Sequence, residues 1–248
     1  MEFSEKSGLC IKIRLCDTMG YGDPFPGVAL PRSIRKIVYH LQQEVGIPSE
    51  KLEWHGHNDF HKVHANSLCA WHSGVSAVNG SLMGFGERTG NSPVEALAIE
   101  YASIKGDTEG MDLMAINEIA EYMREIGTHI PTNFPFVGEQ FNVTKAGIHA
   151  DGMIKNEEIY NIFDTGKILG RPLDVNITDR SGIAGVGFWV NQQLKQHGQP
   201  TVDKRNPQVA KIFEWVEEQY RKGRITAISP EEMIEQFKRH FPEADQNK

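Results

Sequence analysis

Lys51-Leu52-Glu53-Trp54-His55-Gly56-His57-Asn58-Asp59 is an extended stretch that runs out into a polar end. Residues 51–55 read as a strand. Asn58-Asp59 then supplies a capping signal for a helix that carries Val63, Leu68 and Trp71 and stops at Gly74. The same grammar lies on either side. Upstream, 9–16 (Leu-Cys-Ile-Lys-Ile-Arg-Leu-Cys) reads as a strand ending at Asp17-Thr18-Met19-Gly20. Pro31 opens a helical pattern with Ile34, Ile37, Val38 and Leu41 on one face. Downstream, a strand from Ser76 to Met83 runs into Gly84-Phe85-Gly86-Glu87-Arg88-Thr89-Gly90-Asn91, and Pro93 starts a helix that reaches Gly106. Strand then helix, three times in succession, is parallel β/α construction. Barrels and doubly wound sheets both gather functional groups at C-terminal strand ends. The polar clusters Asp17-Thr18, His55 to Asp59 and Glu87 to Asn91 all fall there.

Beyond Gly106 the character changes. Residues 111–126 form an amphipathic helical pattern, and Pro131 and Pro135 break the chain. The stretch 136–200 is mixed and contains Ala146-Gly147-Ile148-His149-Ala150-Asp151-Gly152. Two helical patterns finish the chain, the second after Ser229-Pro230-Glu231-Glu232. The expected division is a partial barrel domain over 1–106, a helical extension over 107–135, a subdomain carrying His149 over 136–200 and a helical subdomain over 201–248.

Composition narrows the function classes. The 248 residues are 39% hydrophobic and 24% charged, which suits a buried core and argues against wholesale disorder. No apolar run approaches the roughly 20 residues of a bilayer span. The start of the chain, Met1 to Lys6, lacks the apolar stretch of a secretory signal. Three scattered cysteines (Cys10, Cys16, Cys69) cannot build a disulfide framework, so a cytoplasmic protein is expected, with Cys16 and Cys69 as buried small hydrophobes. A net charge of −7 with dispersed Lys and Arg argues against nucleic-acid binding by phosphate neutralisation. An anionic small substrate would need a local cationic site, such as a metal.

His55-Gly56-His57 is the central chemical feature. Strand side chains two apart share a face, so both imidazoles can converge on one ion. With oxygen co-ligands that ion would be Mg²⁺, Mn²⁺ or Zn²⁺; the alternative is a pair of histidines making core hydrogen bonds. Asn58 and Asp59 can orient the ligands or cap the helix. His61 lies in the first turn that follows and can meet a substrate carboxylate, or belong with His64 and His72 to a solvated face. Asn91 can donate a carbonyl oxygen to a hard cation. Glu87 and Arg88 are an internal ion pair or substrate contacts. The glycine-rich loop lacks Gly-Lys-Ser and is no P-loop. His149 is a general acid/base or an ordinary loop histidine.

Taken in order, the three motifs His55 to Asp59, Gly84 to Asn91 and Ala146 to Gly152 resemble the 2-isopropylmalate synthase and homocitrate synthase family. These are acetyl-CoA-dependent acyltransferases on a metal-bearing TIM barrel. The resemblance implies that His55 and His57 bind a divalent metal, with Asn91 in or near its coordination sphere. It implies that Thr18 contacts a 2-oxo acid and that His149 assists proton transfer. A homodimer follows from the same resemblance.

Two departures refine the expectation. No Arg-Asp/Glu-Gly motif precedes Asp17, so the three units are expected to be the last three of a (β/α)8 barrel, followed by mostly helical subdomains. The chain is then the C-terminal part of a longer enzyme. After Asp59, Phe60-His61-Lys62-Val63 replaces small residues, which favours a polar oxo acid such as oxaloacetate or 2-oxoglutarate. The leaning is toward a homocitrate synthase-like or Re-citrate synthase-like member. The rivals are a metal-dependent acyl-CoA lyase of the hydroxymethylglutaryl-CoA type, a pyruvate carboxyltransferase domain, and a non-catalytic half that needs a separate N-terminal half.

Overall fold

Alternation along a single strand decides which side chains of the sheet enter the core. In the computed structural model, which describes residues 2–144, 152, 156, 161 and 163–245, Leu52 and Trp54 are buried while Glu53 and His55 are half-buried. The chain divides into two compact units, Met1–Leu113 and Met114–Lys248.

The first unit runs α1 (Glu2–Ser7), β1 (Ile13–Asp17), α2 (Ile34–Gln43), β2 (Leu52–Gly56), α3 (Val63–His72), β3 (Ala77–Asn79) and α4 (Val94–Lys105). Its strands form one parallel sheet in the order β1-β2-β3, with Cys16 opposite His55 and His55 opposite Asn79. Ile34 and Val38 of α2, Ala70 of α3 and Leu52 and Trp54 of β2 make one core cluster with Ile47 and Val75. Burying a side chain such as Leu52 contributes about 2 kcal/mol. α2 starts later than Pro31 because Ser33 is its cap, its hydroxyl accepting from the Lys36 N–H.

The strands are shorter than their sequence patterns. β1 begins only at Ile13, where the ladder opposite Leu52 begins. β3 ends at Asn79 because the next residues turn against the segment before α4. There a Cβ on Gly80 would lie 2.2 Å from the Ser92 carbonyl oxygen, and Ser81 bridges Pro93. Cys16 is exposed rather than buried: Leu15 packs against the core, so its neighbour alternates to the other face. Cys69 is half-buried.

The second unit comprises α5 (Ala115–Glu125), β4 (Val143–Thr144), α6 (Thr165–Leu169), β5 (Asp174–Val175), α7 (Gly182–Gln196), α8 (Pro207–Arg221), α9 (Pro230–His240) and α10 (Pro242–Asp245). Its core joins Val186 and Val190 of α7, Val209, Ile212 and Val216 of α8, and Met233 and Phe237 of α9. Ser229 and Glu232 form a reciprocal capping box at the start of α9. His149 lies outside the described residues. No described helix is long and apolar enough to cross a membrane.

Candidate active site

His55 and His57 leave the end of β2 on one face. Gly56 between them sits on the opposite face, where a Cβ would come within 3.2 Å of both the Trp54 indole nitrogen and a Val63 methyl. The small residue lets helix α3 pack close behind the pair. The imidazoles meet edge to face with centroids 5.0 Å apart, and their Nε2 atoms are 3.3 Å from each other.

Donor and acceptor roles along this chain of groups are mutually consistent. The Asn91 amide nitrogen lies 3.5 Å from His57 Nδ1 and donates to the Gly56 carbonyl at 2.9 Å. An acceptor role for His57 Nδ1 puts the His57 proton on Nε2, aimed at His55 Nε2. His55 Nδ1 then donates to Asn79 Oδ1, 2.6 Å away. A divalent cation can replace this hydrogen bond and take both Nε2 lone pairs once the His57 proton moves from Nε2 to Nδ1. Nitrogen ligands about 2.0–2.1 Å from such an ion and 3.3 Å apart would subtend an angle of about 107°, close to the tetrahedral value that zinc takes. The donor set therefore fits a borderline or hard divalent ion. Among the described residues no group of three His, Cys, Asp or Glu side chains converges, so this face supplies two imidazoles and leaves the remaining positions to oxygen donors.

Around the pair, the loops that follow β1, β2 and β3 are laced together. Arg88 donates to both oxygens of Asp59 (2.9 and 3.2 Å) and to the Thr18 carbonyl. The Arg88 hydrogen bond holds the Asp59 carboxyl below its ordinary range. Asp59 therefore does not cap α3, which begins after Lys62 without a side-chain cap. Asp17 accepts backbone N–H bonds from Tyr21 and Gly22 and the amide of buried Asn66, so its carboxylate organises the β1 loop. Gly20, with φ +62°, presses against β2: a Cβ there would lie 2.5 Å from the His57 carbonyl oxygen.

The glycine-rich loop is a cradle for Asn91. A Cβ on Gly86 would sit 2.1 Å from the Asn91 side-chain oxygen, and one on Gly90 (φ +90°) would sit 2.0 Å from the Gly84 carbonyl oxygen. Asn91 bridges His57 through its backbone, and Asn58 N–H donates to the Gly90 carbonyl at 3.0 Å. Opposite the loop, buried Glu95 accepts from the Met83 N–H at 2.9 Å, and burial raises its carboxyl pKa.

The expected site residues thus fall into groups. His55, His57 and Asn91 come together at the strand mouth. Thr18 and Arg88 join through the Thr18 backbone, leaving the Thr18 side chain exposed. Glu87 is exposed, and so is His61, which stands in a turn with φ +55°, its N–H donating to the Asn58 carbonyl, rather than on α3. His149 falls outside the described residues. Asn79, Asn66 and the ordering role of Asp17 had no signal in the sequence, because each acts through a partner brought near only by strand register or loop closure.

Comparison with known proteins agrees with this arrangement of motifs. The HMGL-like family model matches residues 4–123. A Citrate (Re)-synthase of Syntrophus aciditrophicus is 52% identical over 244 residues, covering 98% of this chain and 39% of that protein. A Citrate (Re)-synthase of Clostridium kluyveri is 50% identical over 94% of this chain and 52% of its own length. A 2-phosphinomethylmalate synthase of Streptomyces hygroscopicus is 37% identical over 90% of this chain and 50% of its own. The chain spans about two fifths to one half of the length of these relatives.

Proposed function

We propose that this chain, whose residues 4–123 match the HMGL-like family model, belongs to that family and carries part of a Claisen condensation between acetyl-CoA and a 2-oxo acid. Its three β/α units are, in this reading, the last three of an eight-stranded barrel, and the units after them the helical subdomains. The resemblance to two Citrate (Re)-synthases makes oxaloacetate the preferred oxo acid, in keeping with His61 and Lys62 in the turn after Asp59.

The observation that carries the proposal is the 3.3 Å approach of the His55 and His57 Nε2 atoms at the strand mouth. A divalent cation (Mg²⁺, Mn²⁺ or Zn²⁺) held there would polarise the ketone of the oxo acid. His55 and His57 hold that position from a strand end, and Asn91 braces the second imidazole through the Gly56 carbonyl. Thr18 offers an exposed hydroxyl at the neighbouring strand end for the substrate carboxylate. Arg88, itself held by Asp59, fixes the Thr18 backbone by donating to its carbonyl, and Glu87 and His61 rim the opening. His149 is assigned the transfer of a proton during enolate formation or protonation of the product. The partners are acetyl-CoA and the oxo acid, the assembly a homodimer, and the compartment the cytoplasm.

A second reading has the chain act only when joined to the remaining barrel units; the open three-stranded sheet, too small to close on itself, favours it. The test measures bound metal after equilibrium dialysis with Mn²⁺ or Zn²⁺, and free thiol released from acetyl-CoA with a panel of oxo acids. His57→Ala is expected to retain less metal after dialysis and, in any active preparation, to release less thiol. Unchanged metal content and thiol release in that variant would contradict the assignment.

A further inference from the structure

We infer that Asn79 is a positioning residue that holds His55 as the Nδ1–H tautomer and so presents an unprotonated Nε2 to the cation. The inference rests on the cation site proposed above, and its test separates the two. Asn79 closes β3 opposite His55 in the ladder, so the two side chains share a sheet face. Its Oδ1 lies 2.6 Å from His55 Nδ1. An amide oxygen only accepts, so this contact needs a proton on Nδ1, and a neutral imidazole then keeps its lone pair on Nε2. Turned over, the same amide would present its NH₂ to Nδ1 and drive the proton to Nε2, where no cation can bind.

The far end of the relay gives the same answer independently. The Asn91 amide nitrogen faces His57 Nδ1, which puts the His57 proton on Nε2, and that proton requires an acceptor at His55 Nε2. Asn79 at the end of β3 and Asn91 in the loop beyond it therefore impose one direction on the two imidazoles of the metal-free site, and His57 becomes the second ligand by passing its proton to Nδ1. The remaining group of Asn79, its Nδ2, is buried without a hydrogen-bond partner among the described residues. A buried donor left unsatisfied is a cost a purely structural asparagine avoids. The amide's orientation is thus set at its contact with His55.

An amide in this place orients the ring without adding charge. A carboxylate would do the same and also make the imidazole a stronger base, which tightens the metal and lowers its power to polarise a ketone.

The test uses the 248-residue chain labelled with ¹⁵N at histidine, free of metal and at alkaline pH, with the His55 signals assigned by their loss in His55→Gln. Long-range ¹H–¹⁵N spectra of the unsubstituted chain are expected to show Nδ1 protonated and Nε2 not. Asn79→Ala should give a mixture of tautomers, and Asn79→Asp should keep the original one. Zn²⁺ calorimetry should find binding about 10- to 100-fold weaker in Asn79→Ala and about 10-fold tighter in Asn79→Asp. A protonated Nε2 in the unsubstituted chain, or an unchanged tautomer in Asn79→Ala, overturns the inference. Should Asn79→Ala fail to fold, the spectra of the unsubstituted chain and of Asn79→Asp decide it. Should Zn²⁺ not bind at all while the tautomer follows residue 79, the cation reading falls and the inference with it, since a tautomer set for no cation has no such role.

Discussion

A single added methyl group measures how tightly the strand mouth is drawn. Gly90 has φ +90° and no room for a Cβ beside the Gly84 carbonyl. Gly90→Ala is therefore expected to cost at least about 2 kcal/mol in chemical denaturation, from backbone strain and the displaced loop together. A cost below half of that would mean the loop is not held as described. Arg88 makes the opposite case. Its pair with Asp59 is partly solvent-exposed, so Arg88→Ala should lower stability by no more than about 1 kcal/mol. Its effect should appear instead in affinity for the oxo acid, through the loosened Thr18 loop. The His55-Gly56-His57 pair was legible in the sequence because a period of two is a property of any strand. Asp59 stays open in the sequence between orienting a ligand and capping the helix, because its partner Arg88 is 29 residues away. Asn79 was invisible for the same kind of reason: nothing in a linear sequence states which residue of the next strand will face His55.

At the scale of elements, helix α9 offers a pH-dependent test. Glu232 accepts from both Arg224 and the Ser229 N–H, and the Arg224 hydrogen bonds bring its carboxyl down to about 2 from 4.5. A carboxyl whose pKa is depressed by folding stabilises the folded state above its unfolded value. That contribution is lost as pH falls from about 4.5 toward about 2. Glu232→Gln should therefore unfold more easily than the unsubstituted chain at pH 7, and the gap between their denaturation midpoints should close through this window. A gap independent of pH would place the effect in the cap alone. This helix was readable from Ser229-Pro230-Glu231-Glu232, since a capping box is local chemistry. The lengths of β1 and β3 were not, because a strand ends where its neighbour stops pairing, and a Val or Met beyond that point keeps its apolar character without keeping a partner.

For the whole molecule, the parallel pairing of the three strands was readable because the repeat of strand and helix points to parallel β/α construction, while their order came only from the structure. The chain's span of about two fifths to one half of its relatives gives a functional expectation. With two imidazoles and no third converging His, Cys, Asp or Glu among the described residues, the chain by itself should release no thiol from acetyl-CoA with oxaloacetate. Rapid turnover by the purified chain would refute that account of the site.

The most direct measurement is X-ray absorption at the zinc edge on the chain loaded with one equivalent of Zn²⁺. Two imidazole ligands at about 2.0 Å are expected, falling to one in His57→Ala and to none in the His55→Ala, His57→Ala double variant. A spectrum without imidazole scattering, or one identical in all three proteins, would contradict the claim that these two rings form the cation site.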